Sequence, residues 1–368
     1  MTAHMRTRAL AAGDTALDDY TERLFGHLPR ADQRRWARVY LQGLLTTPGK
    51  KSVRRLAASV TESPTASQSL QQFINASPWD WNPARTELLR WVEERHPVRA
   101  WTIGQVCFPK RGEHSVGVHR RFDPAAGRTL NCQFGFGLFL SLDGMSLPVD
   151  WRLVLPEAWT ADPALRRRAR IADGVAHQSP ESLVLELVDA ITARTASVRA
   201  PVVADISRVG AAAALIGAFG RRGHDFLVSV PPTLTVRADD PSAGPAARRT
   251  PWIRIHSALV RVPGSGGAGA TTSASASTSG VHQTYRLFGE GRPGGQVWLT
   301  NMSRRRMDDL LHLARQSARA GATLGSLAED FGLLDFEGRS FPGWHHHMTL
   351  MSAAYAYAHR GLAALPFP

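Results

Sequence analysis

The spacing of apolar residues along the chain changes near residue 98. Before it, residues 35–45 have apolar side chains at three- and four-residue spacing, which is typical of an amphipathic helix. Shorter helices are predicted over residues 52–60, 66–73 and 84–94, with turn residues between them. The pattern therefore predicts a compact N-terminal helical region over residues 1–97.

After residue 98 the pattern favours strands. Apolar, β-compatible runs cover residues 100–106, 131–141 and 146–155, and a loop with the charge run Arg166, Arg167, Arg168 and Arg170 is expected next. The following segments alternate between helix (181–195 and 210–222) and strand (201–205 and 225–230). Because this alternation implies a parallel βαβ unit, we expect an α/β fold for residues 98–360.

Residues 231–299 are predicted to form a β-rich insertion in this α/β region. Its expected strands are residues 233–236, 252–262, 281–287 and 296–299. Residues 263–280 are rich in Gly, Ala, Ser and Thr without periodicity, and predict a flexible linker. Two helices are expected after the insertion, one over residues 307–318 with Ser303 as its N-cap and one over residues 345–359.

Charge is the strongest compositional signal. The 368 residues have a net charge of +13, and the only lysines are Lys50, Lys51 and Lys110, so arginine supplies nearly all of the positive charge. A basic protein favours polyanionic partners, nucleic acid first, although biased codon use could produce the same composition. Two cysteines, no apolar run long enough to span a membrane and no signal-peptide pattern predict a cytoplasmic protein.

Several basic residues are candidates for contacts with DNA phosphates, which set affinity without reading sequence. One group lies on the predicted N-terminal helices and another at the start of the helix after the insertion, but either could be an ordinary solvated surface. Consecutive histidines at residues 345–347 point about 100° apart on a helix, so they do not predict a metal site. The DNA-binding candidates are Arg34, Arg35, Arg38, Lys50, Lys51, Arg54, Arg55, Arg304, Arg305 and Arg306.

Three blocks of short motifs follow one another in a recognisable order. The first extends over residues 108–163, the second contains Val202-Val-Ala-Asp205, and the third contains Phe336-Glu-Gly-Arg-Ser340 and His347-Met-Thr-Leu350. Together they resemble the DDE-superfamily transposases of bacterial insertion sequences, nearest to the insertion-sequence 701 type. The resemblance implies a ribonuclease H-like core.

In that family two Asp and one Glu bind two divalent metal ions, Mg²⁺ or Mn²⁺, which activate the attacking oxygen and stabilise the leaving oxygen. The resemblance places these carboxylates at Gly104, Asp205 and Ala322, so this sequence retains Asp205 alone. Asp150, Glu329 and Asp330 are the carboxylates that could replace the missing ones.

The sequence therefore favours a transposase-family DNA-binding protein without a competent metal site, for which no cofactor is expected. An active endonuclease that uses displaced carboxylates is the first alternative, and a protein that binds other proteins through the same fold is the second. Whether the protein forms a homo-oligomer is left open.

Overall fold

The computed structural model describes residues 15–123, 126–196, 199–238, 246–249, 254–263, 283–290 and 295–361. Five helices precede the first strand: α1 (Thr15–Phe25), α2 (Ala31–Thr46), α3 (Val53–Val60), α4 (Ala66–Asn75) and α5 (Asn82–Glu93). The four helices predicted in this region are confirmed within three residues at each end, except that α2 begins four residues earlier. These helices share one hydrophobic core with the sheet.

The central sheet begins with β1 (Ala100–Pro109), β2 (His119–Asp123), β3 (Arg128–Ser141) and β4 (Ser146–Leu153), which are joined by antiparallel pairing. After α6 (Glu157–Ala161), α7 (Pro163–Ala169) and α8 (Pro180–Arg194), the strands β5 (Val202–Asp205) and β6 (Phe226–Val230) flank α9 (Ala212–Arg221). Both strands run parallel to β1, so the predicted βαβ unit is confirmed. The order β4-β3-β1-β5-β6 is that of a ribonuclease H-like core.

The β-rich insertion lengthens this sheet rather than forming a separate one. Its strands are β7 (Arg237–Ala238), β8 (Ala246–Arg249), β9 (Arg254–Arg261), β10 (Tyr285–Glu290) and β11 (Val297–Thr300), and β11 pairs with β6. The strand predicted over residues 233–236 is wrong, because Pro231 and Pro232 begin a turn that Leu234 closes through its backbone amide. Apart from Pro263, the predicted linker lies outside the described residues.

The last two helices are α10 (Met307–Asp330) and α11 (Phe341–Ala358). Helix α10 continues twelve residues beyond its predicted end, because Ala320, Thr323 and Leu327 extend its buried face. Ser303 is not its N-cap: it lies in a turn, and Arg306 occupies the cap position. The charge run predicted as a loop forms α7, since Asp162 accepts hydrogen bonds from the Ala164 and Leu165 amides and starts a helix there.

The two faces of the sheet are covered by different helices. Ala100, Val203 and Leu227 form a core with Leu310 and Leu313 of α10. The alternate positions, such as Trp101 and Val202, belong to the core that contains α8 and α9. Within the described residues, no helix is both long and apolar enough to span a membrane.

Candidate functional site

Gly104 and Asp205 lie next to each other on two neighbouring parallel strands, with Asp205 at the end of β5 and Gly104 in the middle of β1. The register pairs Ile103 of β1 with Ala204 of β5, so the next residue on each strand is Gly104 and Asp205. Alternation puts both on the sheet face that α10 covers. The structure thus brings together the first two positions at which the family resemblance expects carboxylates.

The space beside Gly104 is filled by hydrocarbon. A Cβ atom at this position would lie 3.0 Å from the Phe139 ring and 3.2 Å from a methyl group of Leu324. Leu324 lies on α10 and packs against the core. Gly104 therefore offers no side-chain ligand atom, and the atoms nearest to a side chain at this position are hydrocarbon.

The α10 residue closest to Gly104 is Leu324 rather than Ala322. Two residues along a helix correspond to a rotation of about 200°, so Ala322 points away from Leu324, and its side chain is exposed. Glu329 and Asp330 are also exposed, about 7–9 Å farther along the helix axis. None of these three side chains lies beside Gly104 and Asp205.

Asp205 is half-buried and makes local hydrogen bonds. Its Oδ1 atom accepts from the Ser207 amide at 2.9 Å, which closes the turn after β5. Its backbone oxygen accepts from Gln105 Nε2 at 2.8 Å, and this hydrogen bond joins the end of β5 to β1 beside Gly104. These contacts are those of a polar residue that ends a strand.

Asp150 lies elsewhere, in a buried cluster of charges. Its Oδ1 atom is 2.7 Å from Arg85 Nη1 and 2.7 Å from Arg152 Nη1, and its Oδ2 atom pairs with Arg194. Burial would raise the pKa of Asp150, but the three guanidinium groups outweigh it and hold the pKa well below its usual range. Both carboxylate oxygens are committed to arginine.

Strand register also separates Asp150 from Asp205. Ile103 pairs with Leu138, and Leu138 pairs with Asp150, so the Asp150 side chain lies on the Ile103 face of the sheet. Gly104 and Asp205 are on the opposite face. Asp150 therefore cannot complete a site with Asp205.

The residues present do not fit a two-metal centre. Such a centre needs several hard oxygen ligands that converge. Of the three positions at which the family resemblance expects a carboxylate, only residue 205 has one. Across the described part of the chain, no three His, Cys, Asp or Glu side chains are grouped closely enough to hold a metal ion.

A large basic groove lies between the N-terminal helices and residues 335–340. It has a volume of about 980 Å³. The N-terminal helices that line it are α3 and α4, and the end of α7 also contributes to its wall. Six of its lining residues are basic and two, Asp335 and Glu337, are acidic, so the groove is positively charged. The basic residues are Lys50, Lys51, Arg54, Arg168, Arg170 and Arg339.

The basic side chains of the groove differ in how free they are to bind a ligand. Lys51 is buried and donates to the Thr47 carbonyl, and Lys50 pairs with Glu337 at 2.6 Å. Arg170 donates to the carbonyls of Asn75 and Ala76 and so fastens α7 to α4. Arg54, Arg168 and Arg339 are exposed and form no ion pair within the described ranges, and Arg168 lies over the Trp159 ring at 5.6 Å.

The other DNA-binding candidates do not line this groove. Arg34 donates to the Leu28 carbonyl at 2.6 Å, Arg38 pairs with Asp18, and Arg35 lies over the Trp36 ring. Arg55 donates to the Pro48 carbonyl at 2.8 Å. The structure therefore brings Lys50, Lys51 and Arg54 together and leaves the α2 arginines outside. The exposed group Arg304, Arg305 and Arg306 precedes α10 and also lies outside the groove.

Two groove residues, Arg168 and Arg170, lie in the charge run that the sequence predicts as a loop, and a third, Arg339, is not among the predicted DNA-binding residues. Arg168 and Arg170 reach the groove because α7 forms, and Arg339 reaches it on the loop before α11. This loop approaches α4 so closely that a side chain at Gly338 would collide with Asn75 and Phe336. The charge run was a usable signal for the first two, and Arg339 lies in the family-like motif Phe336-Glu-Gly-Arg-Ser340.

The three consecutive histidines fasten α11 to the N-terminal helices. His346 stacks on Trp79 with 3.8 Å between ring centres, and His345 stacks on Trp81 at 4.5 Å. His347 bonds the Tyr40 hydroxyl at 2.9 Å and the Gly332 carbonyl at 3.0 Å. Each ring therefore has its own buried protein partners.

Comparison with known proteins identifies the family. A family model described as DDE superfamily endonuclease matches residues 23–260, which is more than half of the chain. No curated protein sequence matches the chain. Among solved structures, the chain is similar to piggyBac transposase in a cryo-EM structure of its synaptic complex with hairpin DNA. The identity is 10%, the similarity covers 98% of this chain and 74% of that one, and the TM-score is 0.43. By the extent of the family match, this chain belongs to the DDE superfamily of endonucleases.

Proposed function

We propose that this protein binds DNA as a transposase-family protein but does not cut it through the two-metal chemistry of its superfamily. The observation that carries the DNA-binding part is the basic groove, in which Arg54, Arg168 and Arg339 are exposed. Guanidinium groups are suited to bidentate contacts with phosphate oxygens. The insertion-sequence 701-like branch belongs to the same proposal and rests on the three sequence blocks.

The proposal that the protein does not cut DNA rests on the side chains around Gly104 and Asp205. Gly104 faces Phe139 and Leu324, so hydrocarbon surrounds the position at which the family resemblance expects a metal ligand. The alternative of an active enzyme requires displaced carboxylates, but Asp150 is held by three arginines on the other face of the sheet. Glu329 and Asp330 are exposed beyond the Leu324 position.

DNA binding should be independent of divalent metal and strongly dependent on salt. We expect a fluorescently labelled 30-base-pair duplex to bind in EDTA, with log K falling linearly as log salt concentration rises. Arg54→Ala and Arg168→Ala should each weaken binding and reduce the slope by about 1, because each removes one phosphate contact. Arg35→Ala, outside the groove, is the matched control and should leave the slope unchanged.

The result that would sink the DNA-binding proposal is a wild-type protein whose duplex binding is absent or insensitive to salt. That outcome would favour the alternative of a protein-interaction role. Equal losses for Arg54→Ala and Arg35→Ala would contradict a DNA contact confined to the groove, because Arg35 lies outside it.

Substitutions should restore metal binding if the Gly104–Asp205 pair is the remainder of a metal centre. We expect no Mn²⁺ binding by wild-type protein in calorimetry, and binding in the double variant Gly104→Asp, Leu324→Glu, which would give three converging carboxylates with Asp205. Gly104→Asp with Ala322→Glu is the matched control, and should bind more weakly because residue 322 points away from the site.

Thermal melting of each variant should accompany the titration, since Phe139 must yield to a side chain at residue 104. Tight Mn²⁺ binding by the wild type that is lost in Asp205→Ala would contradict the inactive reading. The active-enzyme alternative would then replace it.

A further inference from the structure

The β2–β3 hairpin extends beyond the rest of the sheet. Strand β2 pairs with residues 128–132 of β3, whereas β1 pairs with β3 from Cys132 and β4 pairs with it from Gly135. Residues 128–131 are therefore paired with β2 alone among the described strands. We call residues 119–123 and 128–131 the hairpin arm.

Phe122 is the most exposed large apolar side chain among the described residues, with 59% of its surface accessible. It shares the outer face of the arm with Arg120, because alternate residues of a strand point the same way. Arg121 points to the other face and covers the Phe134 ring at 3.8 Å. The inner face of the arm is thus packed, and Phe122 is directed away from the core.

Two exposed arginines lie near Phe122. Arg120 shares its face of the arm, and Arg111 lies on the turn beside the arm together with the exposed Glu113. Arg128 is also exposed, but it pairs with Asp123 across the hairpin and so belongs to the Arg121 face. Asn131 of the arm donates to the carbonyls of Lys110 and Gly112 at 3.2 and 3.0 Å, which holds that turn against the arm. An exposed aromatic ring with arginines around it is the combination that binds unpaired nucleotides, since the ring stacks on a base and the arginines contact the backbone.

The arm is continuous with the basic groove. Lys110 donates to the carbonyl of Phe336, a lining residue of the groove, at 2.7 Å. Arg111 is the next residue along the chain. A DNA backbone that follows the groove would therefore meet Arg111 and then Phe122.

We propose that the hairpin arm binds an unpaired nucleotide of DNA held in the groove, with Phe122 stacking on its base. This inference rests on the proposed function and adds the DNA form that the protein prefers: duplex with a single-stranded tail or an unpaired junction. A buried-core role does not account for a phenylalanine with this exposure, and an apolar partner does not account for the arginines around it.

The test compares two DNA molecules, a blunt duplex and the same duplex with a single-stranded tail that contains 2-aminopurine. Wild-type protein should bind the tailed DNA more tightly and quench 2-aminopurine fluorescence through stacking. Phe122→Ala should weaken tailed-DNA binding by about 5- to 100-fold and abolish quenching, without changing blunt-duplex binding or its salt slope. Phe122→Trp should retain both signals.

Leu259→Ala is the matched control, because Leu259 is another exposed large apolar residue, with 46% of its surface accessible, and lies on β9. Equal binding of tailed DNA by Phe122→Ala and wild type, with groove variants still impaired, would overturn the stacking inference and leave the proposed function standing. If the wild type binds neither DNA, both fail. Because Phe122 is exposed, its removal should not change the melting temperature, which excludes unfolding as a cause.

Discussion

Asp150→Asn is expected to reduce the free energy of unfolding by about 3–5 kcal/mol, because it removes one partner of a buried ion pair. Asp150 and Arg85 are both fully buried. Burial lowers the pKa of Arg85 to about 10, which leaves it charged at neutral pH. Without the carboxylate, Arg85, Arg152 and Arg194 would face one another with less compensation. The measurement is urea denaturation of both proteins at pH 7.

Asp205→Asn is the matched control for this experiment. Asp205 is half-buried and its side chain accepts one backbone hydrogen bond, so we expect a loss of about 1 kcal/mol. If Asp150→Asn cannot be purified, Asp150→Leu with Arg85→Met should recover part of the stability, since a well-packed apolar pair can replace a buried ion pair.

The outcome separates two roles for the same carboxylate. A metal ligand in an active enzyme would be dispensable for folding without metal, so Asp150→Asn would be as stable as wild type and would lose only Mn²⁺ binding. A large loss of stability without any change in metal binding would assign Asp150 to the architecture that joins α5, β4 and α8.

Local pattern was sufficient for most helices and strands, but not for their exact registers. Strand periodicity located β1 and β5, and the sequence motifs identified Gly104 and Asp205, which the structure places side by side. The position on α10 is harder to predict from sequence motifs. Two residues rotate a helical side chain by about 200°, and the structure brings Leu324 rather than Ala322 to Gly104.

Contacts between distant segments could not be predicted from the sequence. The groove combines Arg54, Arg168 and Arg339, which are more than 100 residues apart along the chain. Asp150 likewise required Arg85, 65 residues before it. Because such groups are brought together only by tertiary packing, no spacing rule connects them. A family-like carboxylate could therefore be considered as a metal ligand although arginines surround it.

The burial of the three histidines of α11 can be tested through the pH dependence of stability. Burial lowers the pKa of His347 to about 4. Its contacts suit the neutral ring, which can donate from Nε2 to the Gly332 carbonyl and accept from the Tyr40 hydroxyl at Nδ1. Burial and the nearby Arg85 charge also hold the pKa of His345 well below its ordinary value.

His346 is balanced differently from its two neighbours. Burial lowers the pKa of His346 to about 4, while carbonyl acceptors at both ring nitrogens favour the protonated form. These are the oxygens of Ile74 and Trp79, at 2.8 and 2.9 Å. Because burial outweighs these acceptors, His346 contributes to the pH dependence of α11 in the same direction as His345 and His347.

We expect the protein to lose stability as the pH falls from 7 to 5. The unfolded chain binds protons at these histidines near pH 6.5, whereas folded His347 does so near pH 4, so acid favours the unfolded state between these values. For His347 this amounts to about 2 kcal/mol at pH 5 and about 3 kcal/mol at pH 4. His345 adds to the loss in the same direction, and Asp150 keeps its charge throughout this window.

Urea denaturation at pH 7, 6 and 5 measures this slope, and two variants assign it. His347→Gln should unfold more easily at pH 7 but should lose less stability between pH 7 and 5, because one titrating group is gone. Tyr40→Phe removes the hydrogen bond to His347 and keeps the imidazole, so its stability should fall by about 1 kcal/mol at neutral pH, with most of the pH slope retained. An unchanged slope in His347→Gln would show that the acid sensitivity arises elsewhere. A reduced slope would assign that part of the acid sensitivity to His347 and so to the junction between α11 and the N-terminal helices.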